Sequence, residues 1–196
     1  DPIVFDAWAR ILAAAPPTSV FWIATRFHAQ VREMLGDAFE ARGVARSRII
    51  VTDRADTATY LRRFTAGSLF LDTPMVNAHT TAMDSLWMGV PVLTHSRTKM
   101  PSRVCASLLT SLGLADELVA PTLAAYEAAA VRLASDRAHY GDVRARGEHQ
   151  RDASPLFDTP GWVREWDAAL QLAAEVAAAR GAPMHIHVGA PVSQSG

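Results

Sequence analysis

Apolar positions along the chain fall into two alternating patterns. Residues 1–14 place Ile3, Val4, Ala7, Trp8, Ile11 and Leu12 at helical spacing, and Pro16-Pro17 stops that helix. The compact run 20–24 (Val-Phe-Trp-Ile-Ala) has the unbroken apolar character of a buried strand in a parallel sheet. An amphipathic helix follows over about 30–42, through Val31, Leu35, Ala38 and Phe39, with Gly43 at its C′ position. Residues 49–51 predict a second strand, and Asp56 caps a short helix reaching Arg63. Strand three covers 68–71, a helix covers 81–88 and ends at Gly89, and strand four covers 90–94. Strands alternating with helices at such short intervals predict a parallel, doubly wound α/β sheet whose ligands bind at the C-terminal strand ends.

Beyond the fourth strand a polar loop, 95–99, leads to a helix over 102–112 closed by Gly113. Two further helices are expected over 122–134 and 136–150, capped by Thr122 and Asp136. After the break at 154–160, a last amphipathic helix carries Trp162, Val163, Trp166, Leu170 and Val176. Residues 181–196, rich in Gly, Pro and Ser, are expected to be a disordered tail, which leaves 1–180 as the folded part. A start directly on a helix suggests a chain excised from something longer.

Composition narrows the class. With 49% apolar and 20% charged residues among 196, the chain is that of a folded domain. A net charge of −1 argues against a general binder of nucleic acid or membrane surfaces. The lone Cys105 sits in an apolar helical stretch and is expected to be a buried thiol, which allows a reducing compartment. Lys99 is the one lysine among 19 basic residues, so lysine chemistry has almost no candidate.

The candidate chemistry lies in the turn after strand three. A helix N-terminus there presents unpaired N–H groups and a positive dipole end, which together make an anion site. His79, Thr80 and Thr81 add three side-chain donors, and Asp84 follows one turn into the helix. A carboxylate cannot help phosphates electrostatically, but it can accept hydrogen bonds from a ribose hydroxyl pair beyond them. Read blandly, Thr81 and Asp84 form only a T-x-x-[DE] capping box. Tyr60, after strand two, can stack on a base, with the backbone of Arg54 or Ala55 reading the base edge; it can equally pack under a loop. Arg97, Lys99 and Arg103 bring positive charge to the end of strand four, where Arg97 and Lys99 read as solvated surface charge. His185 and His187 alternate without a third ligand, so no metal site is expected. Dinucleotide-fold, P-loop and nucleophile-elbow glycine motifs are all absent.

Leu71-Asp72-Thr73-Pro74, Asn77, His79-Thr80-Thr81, Met83-Asp84, Leu86-Trp87, Gly89, Pro91 and Ser102-Arg103-Val104 resemble the protein O-linked N-acetylglucosamine transferases. Trp8-Ala9, Ile11-Leu12, Arg48-Ile49-Ile50, Arg62-Arg63 and Ser154-Pro155-Leu156-Phe157 extend the resemblance over about 1–173. It implies the C-terminal, Rossmann-like half of a GT-B glycosyltransferase, a parallel sheet with helices on both faces plus C-terminal helices. The implied activity is transfer of N-acetylglucosamine from UDP-N-acetylglucosamine to Ser or Thr of intracellular proteins, with inversion and without a metal cofactor.

The implied UDP-binding residues are His79, Thr80 and Thr81 for the phosphates, Asp84 for ribose, and Ala55 and Tyr60 for uracil. Tyr60 stands where that family usually has histidine, and Thr57 where it usually has a nucleotide-side lysine. The diphosphate lysine is expected just before Asp1-Pro2, and the catalytic histidines in the other half of the catalytic region, so the catalytic residues are expected outside this chain. Implied partners are the UDP-sugar, acceptor proteins, that missing half and tetratricopeptide repeats, but no nucleic acid or membrane. The implied location is the cytoplasm, with the nucleus as a second compartment. Two alternatives stay open: a protein O-fucosyltransferase using GDP-fucose, and a nucleotide-binding or scaffolding module without activity.

Overall fold

The computed structural model describes residues 1–25, 28–179, 182 and 184–186. The chain forms two compact units, Asp1–Asp152 and Ala153–Gly196. The first opens with α1 (Pro2–Ala14), where the Asp1 side chain accepts from the Ile3 N–H and Pro2 fits the first turn without losing a bond. Next come β1 (Phe21–Ala24), α2 (His28–Glu40), β2 (Ile49–Thr52) and α3 (Thr57–Phe64). Asp56 caps α3 as expected, its carboxylate accepting from the Thr59 N–H at 3.1 Å.

Then follow β3 (Phe70–Leu71), α4 (His79–Trp87), β4 (Val92–His95), α5 (Val104–Ser111), α6 (Ala115–Leu118), β5 (Val119–Ala120), α7 (Leu123–Ser135) and α8 (Arg137–Ala153). All strand pairs are parallel. The four expected strands are present. β1 and β2 form one ladder and β3, β4 and β5 another, and β5 is a further strand that the sequence did not signal. β5 is two residues long and follows α6 directly, so no turn residue or alternation marks it. β3 is equally short, and Phe70 and Asp72 N–H groups reach the carbonyls of Pro91 and Leu93 to hold it against β4.

One part of the core packs Ala9, Leu12, Phe39 and Val44 with Phe5, Trp8, Phe21 and Ile49. The other surrounds β4, where Val92, Leu93 and Thr94 are fully buried along with Leu109, Leu118, Tyr126 and Ala130. Fully buried apolar side chains of this size each contribute about 1.5–3 kcal/mol of transfer free energy. α1 and α7 are joined by the Trp8 Nε1–H to Tyr126 hydroxyl bond (3.2 Å) and the Arg10–Glu127 ion pair. Gly89 ends α4 at φ +75°, the left-handed conformation that favours glycine, and an added Cβ would stand 3.1 Å from Glu148 Oε1.

In the second unit, Asp158 caps α9 (Thr159–Ala178) by accepting from the Gly161 N–H at 3.0 Å. Trp162 and Trp166 stack on its exposed surface with ring centroids 5.6 Å apart. The tail expected over 181–196 lies mostly outside the described residues, as does His187.

Candidate functional site

The site is built at the C-terminal end of β3. Asp72 ends that strand completely buried, and its carboxylate is used at both oxygens. Oδ1 accepts from the Ala78 N–H at 2.9 Å and Oδ2 from the Thr94 hydroxyl at 2.6 Å. Asn77 continues the network. Its side-chain amide donates to the Thr73 carbonyl (3.1 Å), and its Oδ1 accepts from the Cys105 N–H (3.0 Å). The Tyr126 hydroxyl donates to the Asp72 carbonyl at 3.1 Å. Burial pushes the Asp72 carboxyl above its ordinary range, while the bonds from Thr94 and the backbone oppose that shift. Cys105, fully buried as expected, has its thiol raised to about 12 by burial and by the neighbouring Asp72.

On this support stands α4. It begins at His79, two residues before the expected start, with Ala78 as N-cap and no side-chain cap. The capping-box reading of Thr81 and Asp84 is thereby corrected, because Thr81 already lies inside the first turn and caps nothing. The job of holding the turn falls to Asp72, which reaches Ala78 from the preceding strand. Sequence reasoning gave Asp72 no role. The signal was available, since a carboxylate directly after a buried apolar strand needs buried donors.

The N–H groups of His79, Thr80 and Thr81 are the ones an α-helix leaves unpaired at its start. His79 has φ +32° and is the one non-glycine residue with positive φ among the described residues. Such a conformation costs about 1–2 kcal/mol and is typical of sites where geometry serves a ligand. His79 Nε2 donates to the Pro101 carbonyl at 3.3 Å, and the Asn77 N–H reaches the same carbonyl at 2.8 Å. His79 and Thr80 are exposed, whereas Thr81 and Asp84 are half-buried.

Tyr60 comes to this helix from α3. Its hydroxyl donates to Asp84 Oδ2 at 2.8 Å, and Thr81 lies three residues before Asp84 on the same helix. Burial and the Asp84 carboxylate raise the Tyr60 phenol above its usual range, so it stays protonated and a donor. Five of the six candidate residues thus share one helix end: His79, Thr80, Thr81 and Asp84 on α4, and Tyr60 against it. Ala55 lies half-buried in the loop between β2 and α3, and no hydrogen bond among the described residues joins it to the others. Thr57 opens α3 as an exposed residue. Arg97 and Lys99 are exposed as expected; the Arg97 guanidinium reaches the Met75 sulfur, at 3.3 Å. Among the described residues no group of three or more His, Cys, Asp or Glu side chains is placed to hold a metal ion.

The profile of glycosyl transferase family 41 matches residues 1–166, which include every one of these side chains. The chain belongs to glycosyl transferase family 41. The UDP-N-acetylglucosamine–peptide N-acetylglucosaminyltransferase of Caenorhabditis elegans is 37% identical over 170 residues, 87% of this chain and 14% of that protein. The probable UDP-N-acetylglucosamine–peptide N-acetylglucosaminyltransferase SEC of Arabidopsis thaliana is 36% identical over 164 residues, 84% of this chain and 17% of that protein. The chain therefore spans less than a fifth of either relative. A mutant O-GlcNAc transferase of Thermobaculum terrenum superposes with a TM-score of 0.73 at 28% identity, covering 80% of this chain and 30% of that one. The family resemblance and parallel α/β fold expected from the sequence are those found.

Proposed function

We propose that this chain is the UDP-binding half of the catalytic region of a UDP-N-acetylglucosamine–protein O-N-acetylglucosaminyltransferase. The observation that carries the reading is the bond of Tyr60 to Asp84 on α4, the helix whose N-terminus begins at the strained His79. In the transfer, a Ser or Thr hydroxyl attacks the anomeric carbon, the bond to the diphosphate breaks, and UDP leaves with the electron pair. The negative charge that develops on the leaving diphosphate meets the free N–H groups of His79, Thr80 and Thr81, the helix dipole and the two threonine hydroxyls. These donors are fixed before the ligand arrives, so they need no reorganisation during the step.

Asp84 accepts from ribose in this reading, and Ala55 and Tyr60 border the uracil. The chain supplies the positioning and leaving-group half of the reaction, and the residues that activate the acceptor hydroxyl belong to the other half of the catalytic region. Because the diphosphate charge is met by protein donors, no divalent cation is required. The buried, lone Cys105 suits a reducing, cytoplasmic setting.

Calorimetric titration of the chain with UDP and GDP tests the proposal. UDP is expected to bind more tightly. A GDP preference would transfer the reading to protein O-fucosylation, and binding of neither nucleotide would leave a scaffolding module, a reading that rests on the catalytic half expected outside this chain and on Thr57 in place of the resembled family's usual lysine.

A further inference from the structure

Asp84 on its own would be a loosely specified acceptor. The terminal torsion of an aspartate is broad, and its two oxygens offer about four lone-pair sites. In this chain one oxygen is already committed, because the Tyr60 hydroxyl crosses from α3 to Oδ2 at 2.8 Å. The donor itself is held by ring packing. The Tyr60 ring meets Phe64 edge-on at 5.2 Å, and Phe64 in turn lies 6.5 Å from Phe70 on β3. Among the described residues no hydrogen bond occupies Asp84 Oδ1.

Resting on the nucleotide reading above, we propose that Tyr60 is a positioning residue for Asp84: by holding Oδ2 it dedicates Oδ1 to the ribose hydroxyls and makes the site select ribonucleoside over 2′-deoxyribonucleoside diphosphates. The tyrosine then does two jobs that separate chemically. Its ring provides a face for the base, and its hydroxyl sets the acceptor for the sugar. A histidine at this position, as is usual in the resembled family, has a ring but no phenol.

Tyr60→Phe removes the hydroxyl and keeps the ring. Wild-type and variant full chains are titrated with UDP and with 2′-deoxy-UDP, and their melting temperatures are recorded. The wild type is expected to prefer UDP by about tenfold, the equivalent of one good hydrogen bond to a charged group. In the variant UDP affinity falls about three- to tenfold while 2′-deoxy-UDP affinity changes less than about twofold, so the preference collapses. An unchanged preference, or equal losses for both ligands, overturns the role of Tyr60 while leaving the nucleotide site standing. Tighter UDP binding by the variant also overturns it, because the hydroxyl would then compete with ribose rather than position its acceptor. A wild-type chain that binds neither ligand removes the nucleotide reading and this inference with it.

Discussion

Replacing Thr94 by valine tests the support under the candidate site at its most vulnerable bond. The substitution preserves shape but deletes the hydroxyl that donates to Asp72 Oδ2 at 2.6 Å, between two fully buried side chains. Hydrogen bonds to a charged partner contribute about 1.5–3 kcal/mol net, and no water can replace this donor at zero exposure. The expected loss of unfolding free energy at neutral pH is therefore about 1.5–3 kcal/mol, or about 3–12 °C in melting temperature for a unit of this size. pH gives the sharper arm of the test. Burial raises the Asp72 carboxyl in the folded state, so its contribution to stability is full below the unfolded value, about 3.9, and is lost as pH rises through the folded one. The Thr94 bond opposes that rise, and Thr94→Val raises the folded value further. The stability gap between wild type and variant should thus be widest at neutral pH and narrow on acidification, as the carboxyl takes up a proton and needs the donor less. Urea denaturation of both proteins at a series of pH values measures it, with Asp72→Asn as a background in which the gap should lose its pH dependence. A neutral-pH loss under about 0.5 kcal/mol, or a gap that widens as pH falls, would show that Asp72 is not a buried carboxylate dependent on Thr94.

Three further outcomes are expected. Asp84→Asn should weaken UDP binding by about tenfold or more while shifting the melting temperature by less than about 2 °C, because the α4 cap is at Ala78; a large thermal loss with intact affinity would restore a capping role. Tyr126→Phe deletes a buried hydroxyl that donates to the Asp72 carbonyl and accepts from Trp8, and should cost about 1–3 kcal/mol in chemical denaturation; a neutral result would remove Tyr126 from the network. Cys105, with its buried thiol raised to about 12, should resist a thiol-reactive dye at pH 8 in the native protein and react at once in denaturant, whereas rapid native labelling would contradict its burial.

Those elements were legible in the sequence that carry their own local signals. Asp1-Pro2, Asp56, Thr122 and Asp136 announce helix starts, and Gly43, Gly89 and Gly113 all adopt the positive φ that ends helices in this way. β5 was not legible, because two residues paired to β4 owe their extended conformation to that pairing and not to their own pattern. The start of α4 was misplaced for a related reason. Thr81 and Asp84 satisfy a local capping pattern, but the helix begins at His79, and the Asp72 carboxylate just after β3 accepts from the Ala78 N–H instead. Tyr60 was legible as a side chain following strand two. Its bond to Asp84 was not, since the two are 24 positions apart and only the packing of α3 beside α4 joins them.

The strained conformation at His79 is explained by what surrounds it. A φ of +32° costs free energy that neither the sequence Ala78-His79-Thr80 nor the helix itself recovers. It persists because the residues before it are pinned: the Ala78 N–H by Asp72, the Asn77 N–H by the Pro101 carbonyl, and the Asn77 side chain by the Cys105 N–H. The His79 ring adds a further tie to Pro101. Each anchor lies on a different element, namely β3, the segment after β4 and α5, so the turn keeps its shape only while all three stay packed together. On the proposed nucleotide reading, a ligand at the α4 N-terminus would meet donors whose ordering entropy was already spent in folding, and its binding free energy would not be drawn down by arranging them. On this account the apparent excess of buried polar groups beneath a two-residue strand is what lets so short an element hold a binding turn. Pairing at β3 alone supplies too few bonds to fix the backbone that follows it, and the Asp72 carboxylate supplies the rest.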